Sequence, residues 1–132
     1  MPSAAPVTAL YAGLLAFLFV ALSARVIRAR RSARIAIGVA GQPALERRAR
    51  VHANFAEYAP LSLLLMLLAE LTGYPGWAMH VAGIVLLGGR SVHALGVSRE
   101  PEDFRLRVGG MVATLTVIVA LGAMLLAAPL LR

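Results

Sequence analysis

The sequence predicts an all-α integral membrane protein: a four-transmembrane-helix bundle in which residues 1–132 form a single domain. Three observations carry this expectation. Sixty per cent of the residues are hydrophobic, the mean hydropathy is +0.80, and the charges gather at the ends of long apolar runs. A soluble domain of 132 residues cannot hide so much apolar surface from water. Charged residues make up 14%, against about 25% in soluble domains. A lipid-facing exterior resolves the conflict, because hydrocarbon accepts the side chains that water rejects.

The first helix is expected over residues 7–30. Its apolar run, 7–24, is about 18 residues, near a spanning length and long for the core of a signal peptide. Residues 1–6 also contain no basic residue, so the run is expected to be retained as a span. Arg25, Arg28, Arg30, Arg31 and Arg34 follow it, the first of them snorkelling towards headgroups. Gly38, Gly41 and Pro43 mark a loop or interfacial turn. A second helix over 44–71 has about 28 residues, roughly 42 Å of axis, and must tilt or project from the bilayer. Within it, Pro60 removes one amide and crowds the carbonyl of Ala56, so a bend is expected there.

Tyr74, Pro75 and Gly76 form a tight break before a third helix over 77–96, which carries His80, Arg90 and His93. A polar loop over 96–107 leads to a fourth helix over 106–130, with no charge between Arg107 and the terminal Arg132. The lengths imply two hairpins joined by the short break. Residues 25–50 hold eight arginines against Glu46 alone, while the link between the second and third helices has none. The positive-inside bias therefore places loops 25–50 and 96–107 in the cytoplasm and both termini outside.

All 13 basic residues are arginine, and the net charge is +7. Such a balance suits nucleic acid or anionic lipid. The arginines sit at the ends of apolar runs, and no zinc finger, phosphate-binding glycine loop or basic recognition helix accompanies them. Membrane lipids are thus expected partners and nucleic acid is not. Cysteine is absent, which removes thiolate nucleophiles and thiolate metal sites, and the three histidines are too dispersed to suggest a metal.

The most informative stretch begins the second helix. At 100° per residue, Glu46, Arg47, Arg50, Asn54, Glu57 and Tyr58 fall within an arc of about 120°. With Arg50 as zero, Arg47, Asn54 and Tyr58 lie at about +60°, +40° and +80°, and Glu57 and Glu46 at about −20° and −40°. Leu61 and Leu64 then take over the face, so the polar stripe stops as a pocket floor would require. Ionisable groups within a membrane must be paired or face a cavity. Glu57 can answer Arg50 two turns away, or an arginine of another helix, with Asn54 supplying a donor and an acceptor between them. Three readings follow: an interhelical clamp with no ligand, a site for an anionic ligand, or a transport path. The stripe's place near an interface rather than the midplane speaks against transport.

Arg90 and His93 share a face of the third helix. Arg90 either snorkels to headgroups, with His93 hydrogen-bonded in the bundle, or both belong to a site. Arg105 and Arg107 begin the fourth helix at the same end, where Glu102 and Asp103 offer salt bridges. Together Arg50, Arg90, Arg105 and Arg107 can form an anion-binding mouth with bidentate geometry for carboxylates. His80 reads as an interface or packing group and Glu70 as a solvated flank. The pairs Gly88-Gly89 and Gly109-Gly110 permit close helix approach.

The series Arg50, Asn54, Glu57, Tyr58 and Pro60 resembles the central motif of the MAPEG family, the membrane-associated proteins in eicosanoid and glutathione metabolism. The four-span plan is similar across essentially the whole chain, and Arg90, His93 and Gly96 resemble the bacterial members. The resemblance implies a homotrimer in the bacterial inner membrane, with glutathione as co-substrate bound between neighbouring subunits near the cytoplasmic side. It assigns glutathione to Arg47, Arg50, Asn54, Glu57, Tyr58, Arg90 and His93, with Glu57 pairing its ammonium and arginines taking its carboxylates. An arginine at the start of the fourth helix would stabilise the thiolate; Arg105 aligns best by spacing and Arg107 follows closely. The implied activity is conjugation or reduction of hydrophobic small-molecule electrophiles or peroxides. His93 and Val97 stand where the eicosanoid-synthesising branch tends to carry tyrosines. The other reading remains a non-catalytic membrane protein with an Arg-Asn-Glu clamp.

Overall fold

The computed structural model describes residues 4–130; residues 1–3, which open the stretch read for a signal peptide, and the terminal Arg132 lie outside them. It contains helices α1 (Pro6–Ala33), α2 (Pro43–Thr72), α3 (Gly76–Ser98) and α4 (Phe104–Ala127), with a 3₁₀ turn, Ala128–Leu130, closing the last. All four are long and apolar enough to cross a membrane. α1 packs on α2 and α3, and α4 packs on α3 and α2, so the bundle is two triangles sharing the α2–α3 edge.

The helices extend beyond the expected bounds for local reasons. α1 runs past residue 30 because Arg30 and Arg31 lie in its last turn, where cations oppose the negative end of the helix dipole. Arg34 then turns left-handed, and its N–H reaches the carbonyls of Arg30 and Arg31. α4 begins earlier than expected because Asp103 caps it, accepting from the N–H groups of Arg105 and Leu106 at 3.1 and 3.2 Å. α2 ends at Gly73, whose φ of 98° suits glycine. α2 also continues as helix through Pro60, and two residues on, Ser62 donates to the Tyr58 carbonyl at 2.8 Å.

The core follows a helical period. On α2, Val51, Phe55, Ala59, Ser62, Met66 and Ala69 are buried, and all but Ser62 meet Leu15 and Leu22 of α1 and Met79 and Leu86 of α3 in one cluster. Close approach uses one glycine of each predicted pair. A Cβ on Gly110 would lie 2.5 Å from the Gly89 carbonyl oxygen and 2.5 Å from the His93 nitrogen, whereas Gly88 and Gly109 have open space. Gly96 brings the end of α3 equally close to the backbone of Arg107.

The far end of the bundle corrects the reading of Glu70 as a solvated flank. Its carboxylate accepts from the backbone N–H of Val7 at 2.9 Å and of Thr8 at 2.7 Å, across 63 and 62 residues. α1 has no side-chain cap and no acidic residue in its own first turn, so α2 supplies the anion that its N-terminus lacks. Beside it the Tyr11 hydroxyl meets His80 Nδ1 at 3.2 Å, and Tyr74 donates to the Met124 carbonyl.

Candidate functional site

The connections at 34–42 and 99–103 lie at the same end of the bundle, tied by Arg47 of α2, which pairs with Glu100 at 3.4 Å and Glu102 at 3.9 Å. Between them opens a cleft of about 310 Å³. Its lining includes Arg47, Arg50 and Asn54 from α2, His93 and Val97 from α3, and Arg107 from α4. Glu46 and Glu102 complete the charge, leaving three guanidinium groups against two carboxylates.

The polar arc on α2 straddles the border of the bundle. Its positive-angle members, Arg47, Asn54 and Tyr58, are half-buried; Arg50, Glu57 and Glu46, at zero and negative angles, are exposed. The same exterior face continues through Leu61 and Leu64, which are 47% and 51% exposed. One half of the stripe therefore faces α3; of the other, Arg50 and Glu46 line the open side of the cleft and Glu57 faces away from it.

The inward half meets Arg90, and here the snorkelling reading is corrected. Arg90 is 1% exposed, the largest fully buried side chain among the described residues. Its Nε donates to Thr114 Oγ1 at 2.9 Å, one terminal nitrogen donates to Asn54 Oδ1 at 2.5 Å, and the other contacts Met111 Sδ at 3.2 Å. The guanidinium also stands 5.6 Å from the Tyr58 ring centroid, within cation–π range. Thr114 passes its own proton to the Gly110 carbonyl at 2.9 Å, which frees its lone pairs for Arg90. Arg90 thus ties α2, α3 and α4 together through neutral acceptors and an aromatic face, and it does not line the cleft. His93, one turn on, does.

The two candidates on α4 separate. Residues two apart on a helix point in different directions. Arg107 lines the cleft and pairs with Glu102 at 2.9 Å, while Arg105 lines a shallow surface around the 99–103 connection. Of the predicted residues, the structure therefore gathers Arg47, Arg50, Asn54, His93 and Arg107 on one cleft. Arg90 and Tyr58 stand behind it, and Glu57 and Arg105 outside it. Sequence reasoning missed Glu102 as a cleft-lining member and Thr114 and Met111 as partners of Arg90. For Thr114 the available signal was one of two hydroxyls, with Thr116, in the apolar part of the helix, seven residues, two turns, beyond Arg107.

The geometry can be set beside known proteins. The MAPEG family model matches residues 8–127, nearly the whole described chain. The chain belongs to the MAPEG family. It is 43% identical over 108 residues to the inner membrane protein YecN of Escherichia coli K12, covering 82% of this chain and 81% of that protein. The YecN of the Escherichia coli O6:H1 strain CFT073 matches with the same identity and coverage. As a MAPEG protein, this chain is a membrane protein of four transmembrane helices, and its conspicuous arginines are partitioned between a buried tie and an open cleft.

Proposed function

We propose that this MAPEG protein binds glutathione at the arginine cleft and uses the activated thiol against hydrophobic electrophiles or peroxides. The observation that carries the reading is the convergence of Arg47, Arg50 and Arg107 on one cleft with Glu46 and Glu102. Glutathione offers two carboxylates and one ammonium, and that pattern calls for guanidinium forks plus a carboxylate. The lining contains both, so the residues fit the ligand.

Glu57 bears on assembly. It lies fourteen residues into α2, about 21 Å along the axis from Pro43. A carboxylate presented outward at that depth needs a partner, and none comes from the described residues. A neighbouring copy, in a homotrimer, would complete the site with its own basic groups and cover Leu61 and Leu64. By likeness to the inner membrane relatives, the bilayer is the bacterial inner membrane, with the cleft cytoplasmic and both termini periplasmic, as the arginine bias directs.

The chemistry requires no protein nucleophile. A thiol titrates near about 8.5, and an adjacent guanidinium favours the thiolate by opposite charge. Arg107 is the group assigned that role, because it faces the cleft and Arg105 does not. The sulfur then attacks an electrophile partitioned from the lipid. A second reading, the structural clamp, is favoured by one specific observation: Asn54 Oδ1 is already taken by Arg90. Asn54 then serves the fold through its oxygen and leaves its amide protons for a ligand.

Calorimetric titration of glutathione into detergent-purified protein tests the site. Binding is expected, weakened about tenfold or more by Arg50→Ala and by Glu57→Ala, since each removes a charged hydrogen bond of roughly 1.5–3 kcal/mol. Absence of binding by the intact protein, or binding untouched by both substitutions, defeats the proposal. Thiolate absorbance near neutral pH separates the two arginines: Arg107→Ala should abolish the signal and Arg105→Ala should leave it. The reverse result would move the activating role to Arg105.

A further inference from the structure

A second pocket opens at the same end of the bundle, on the α1 side of Arg47. It has a volume of about 300 Å³ and is lined by Arg25, Ala44, Arg47, Arg48, Ser98 and Glu100. Three helices contribute, and three guanidinium groups face one carboxylate. That carboxylate is already paired with Arg47. Among the described residues, Arg25 and Arg48 have no ion-pair or hydrogen-bond partner in the chain. Arg28 and Arg30, by contrast, donate to the carbonyls of Ala24 and Gly38. One donor of a pocket residue, Ser98 Oγ, is sealed from solvent without a hydrogen-bond partner, while the neighbouring Arg47 Nε has only its ion pair with Glu100. A buried donor such as Ser98 Oγ is rare in a finished fold and points to a missing acceptor.

Depth identifies the chemistry. The apolar run of α1 before Arg25, residues 7–24, spans about 27 Å as helix, close to the roughly 30 Å of a bilayer's hydrocarbon core. Arg25 and the pocket around it therefore stand at headgroup level. An acceptor-rich anion found at that level, and matched to guanidinium forks and a hydroxyl, is a phosphate group.

We propose that this pocket binds a phosphate group, supplied by the headgroup of an anionic phospholipid. The site shares Arg47 with the arginine cleft, but Arg25, Arg48 and Ser98 belong to it alone, and it does not rest on that cleft taking glutathione. Arg25 and Arg48 grip the phosphate oxygens, Ser98 donates from the end of α3, and a bound lipid fastens α1 to the α2–α3 edge.

Native mass spectrometry of the detergent-solubilised protein, titrated with phosphatidylglycerol or phosphatidylcholine, tests this at about 0.15 M ionic strength, where distant charges are screened beyond about 8 Å. Phosphatidylglycerol should be retained in preference to phosphatidylcholine. Arg25→Gln with Arg48→Gln should weaken it about 25-fold, from about fivefold for each arginine near an anionic surface. The charge-matched control, Arg28→Gln with Arg31→Gln, should change it no more than about threefold. Ser98→Ala, which removes no charge, should weaken it by several-fold. Circular dichroism and size-exclusion profiles matching the parent establish that each variant is folded. A parallel titration with inorganic phosphate separates the sources. Phosphate binding lost in the Arg25/Arg48 variant, without lipid preference, keeps the phosphate site and assigns it a soluble ligand. Equal weakening by the two double variants, or no binding of either probe, overturns the proposal.

Discussion

Asn54→Leu is expected to cost about 3–5 kcal/mol of stability in detergent, more than the substitution of Arg90 itself by Met. The asymmetry follows from what each change leaves behind. Arg90 is buried without a carboxylate, and its charge is offset by the Asn54 oxygen at 2.5 Å, the Thr114 hydroxyl at 2.9 Å, Met111 sulfur and the Tyr58 ring. Removing Asn54 strands a guanidinium in an apolar interior, where an uncompensated charge is far costlier than an uncompensated amide. Arg90→Met keeps the length of the side chain and leaves only neutral groups unpaired. The double variant should therefore be more stable than Asn54→Leu alone, by about 1–3 kcal/mol of coupling. Denaturant unfolding of the four members of the cycle measures this. Additive effects would show that Arg90 and Asn54 do not support one another.

The second large effect concerns two adjacent glycines that sequence alone cannot distinguish. Gly110→Ala should disrupt the α3–α4 contact, costing about 3 kcal/mol or more, because overpacking here is against backbone. The new methyl would meet the Gly89 oxygen and the His93 nitrogen at 2.5 Å, and neither can rotate away. Gly109→Ala points into open space and should be neutral, or stabilising by about 0.5–1 kcal/mol through helix propensity. Thermal unfolding followed by circular dichroism reports both, and similar behaviour of the two variants would refute the packing. Gly110→Ala should also move His93, and so widen the consequences to the cleft.

The four spans were legible because lipid imposes a simple rule on composition, and the helices depart from the expected bounds by only a few residues. The polar arc on α2 was legible too, since angular position follows from spacing. Which side of that arc turns inward was not. That choice is made by Arg90 on α3 and Thr114 on α4, distant in sequence and visible only once packed. Arg90 itself shows the limit most clearly: near a helix end, an arginine can reach headgroups or a buried acceptor, and spacing alone does not choose. The separation of Arg105 from Arg107 could have been anticipated from their two-residue offset, but which one faces the cleft depends on the cap at Asp103 and the bond to Glu102. Glu70 reads from sequence as a solvated flank because its partners are backbone amides more than sixty residues earlier, which no side-chain pattern announces.

That last contact has a consequence for biogenesis. The opening turn of α1 leaves synthesis with its amides unanswered, and the carboxylate that answers them is translated only near the end of α2. The first span can enter the membrane alone, but it cannot be finished alone. Its leading end settles when Glu70 arrives on the same face of the bilayer, so the α1–α2 hairpin, rather than the single helix, is the smallest completed unit of assembly.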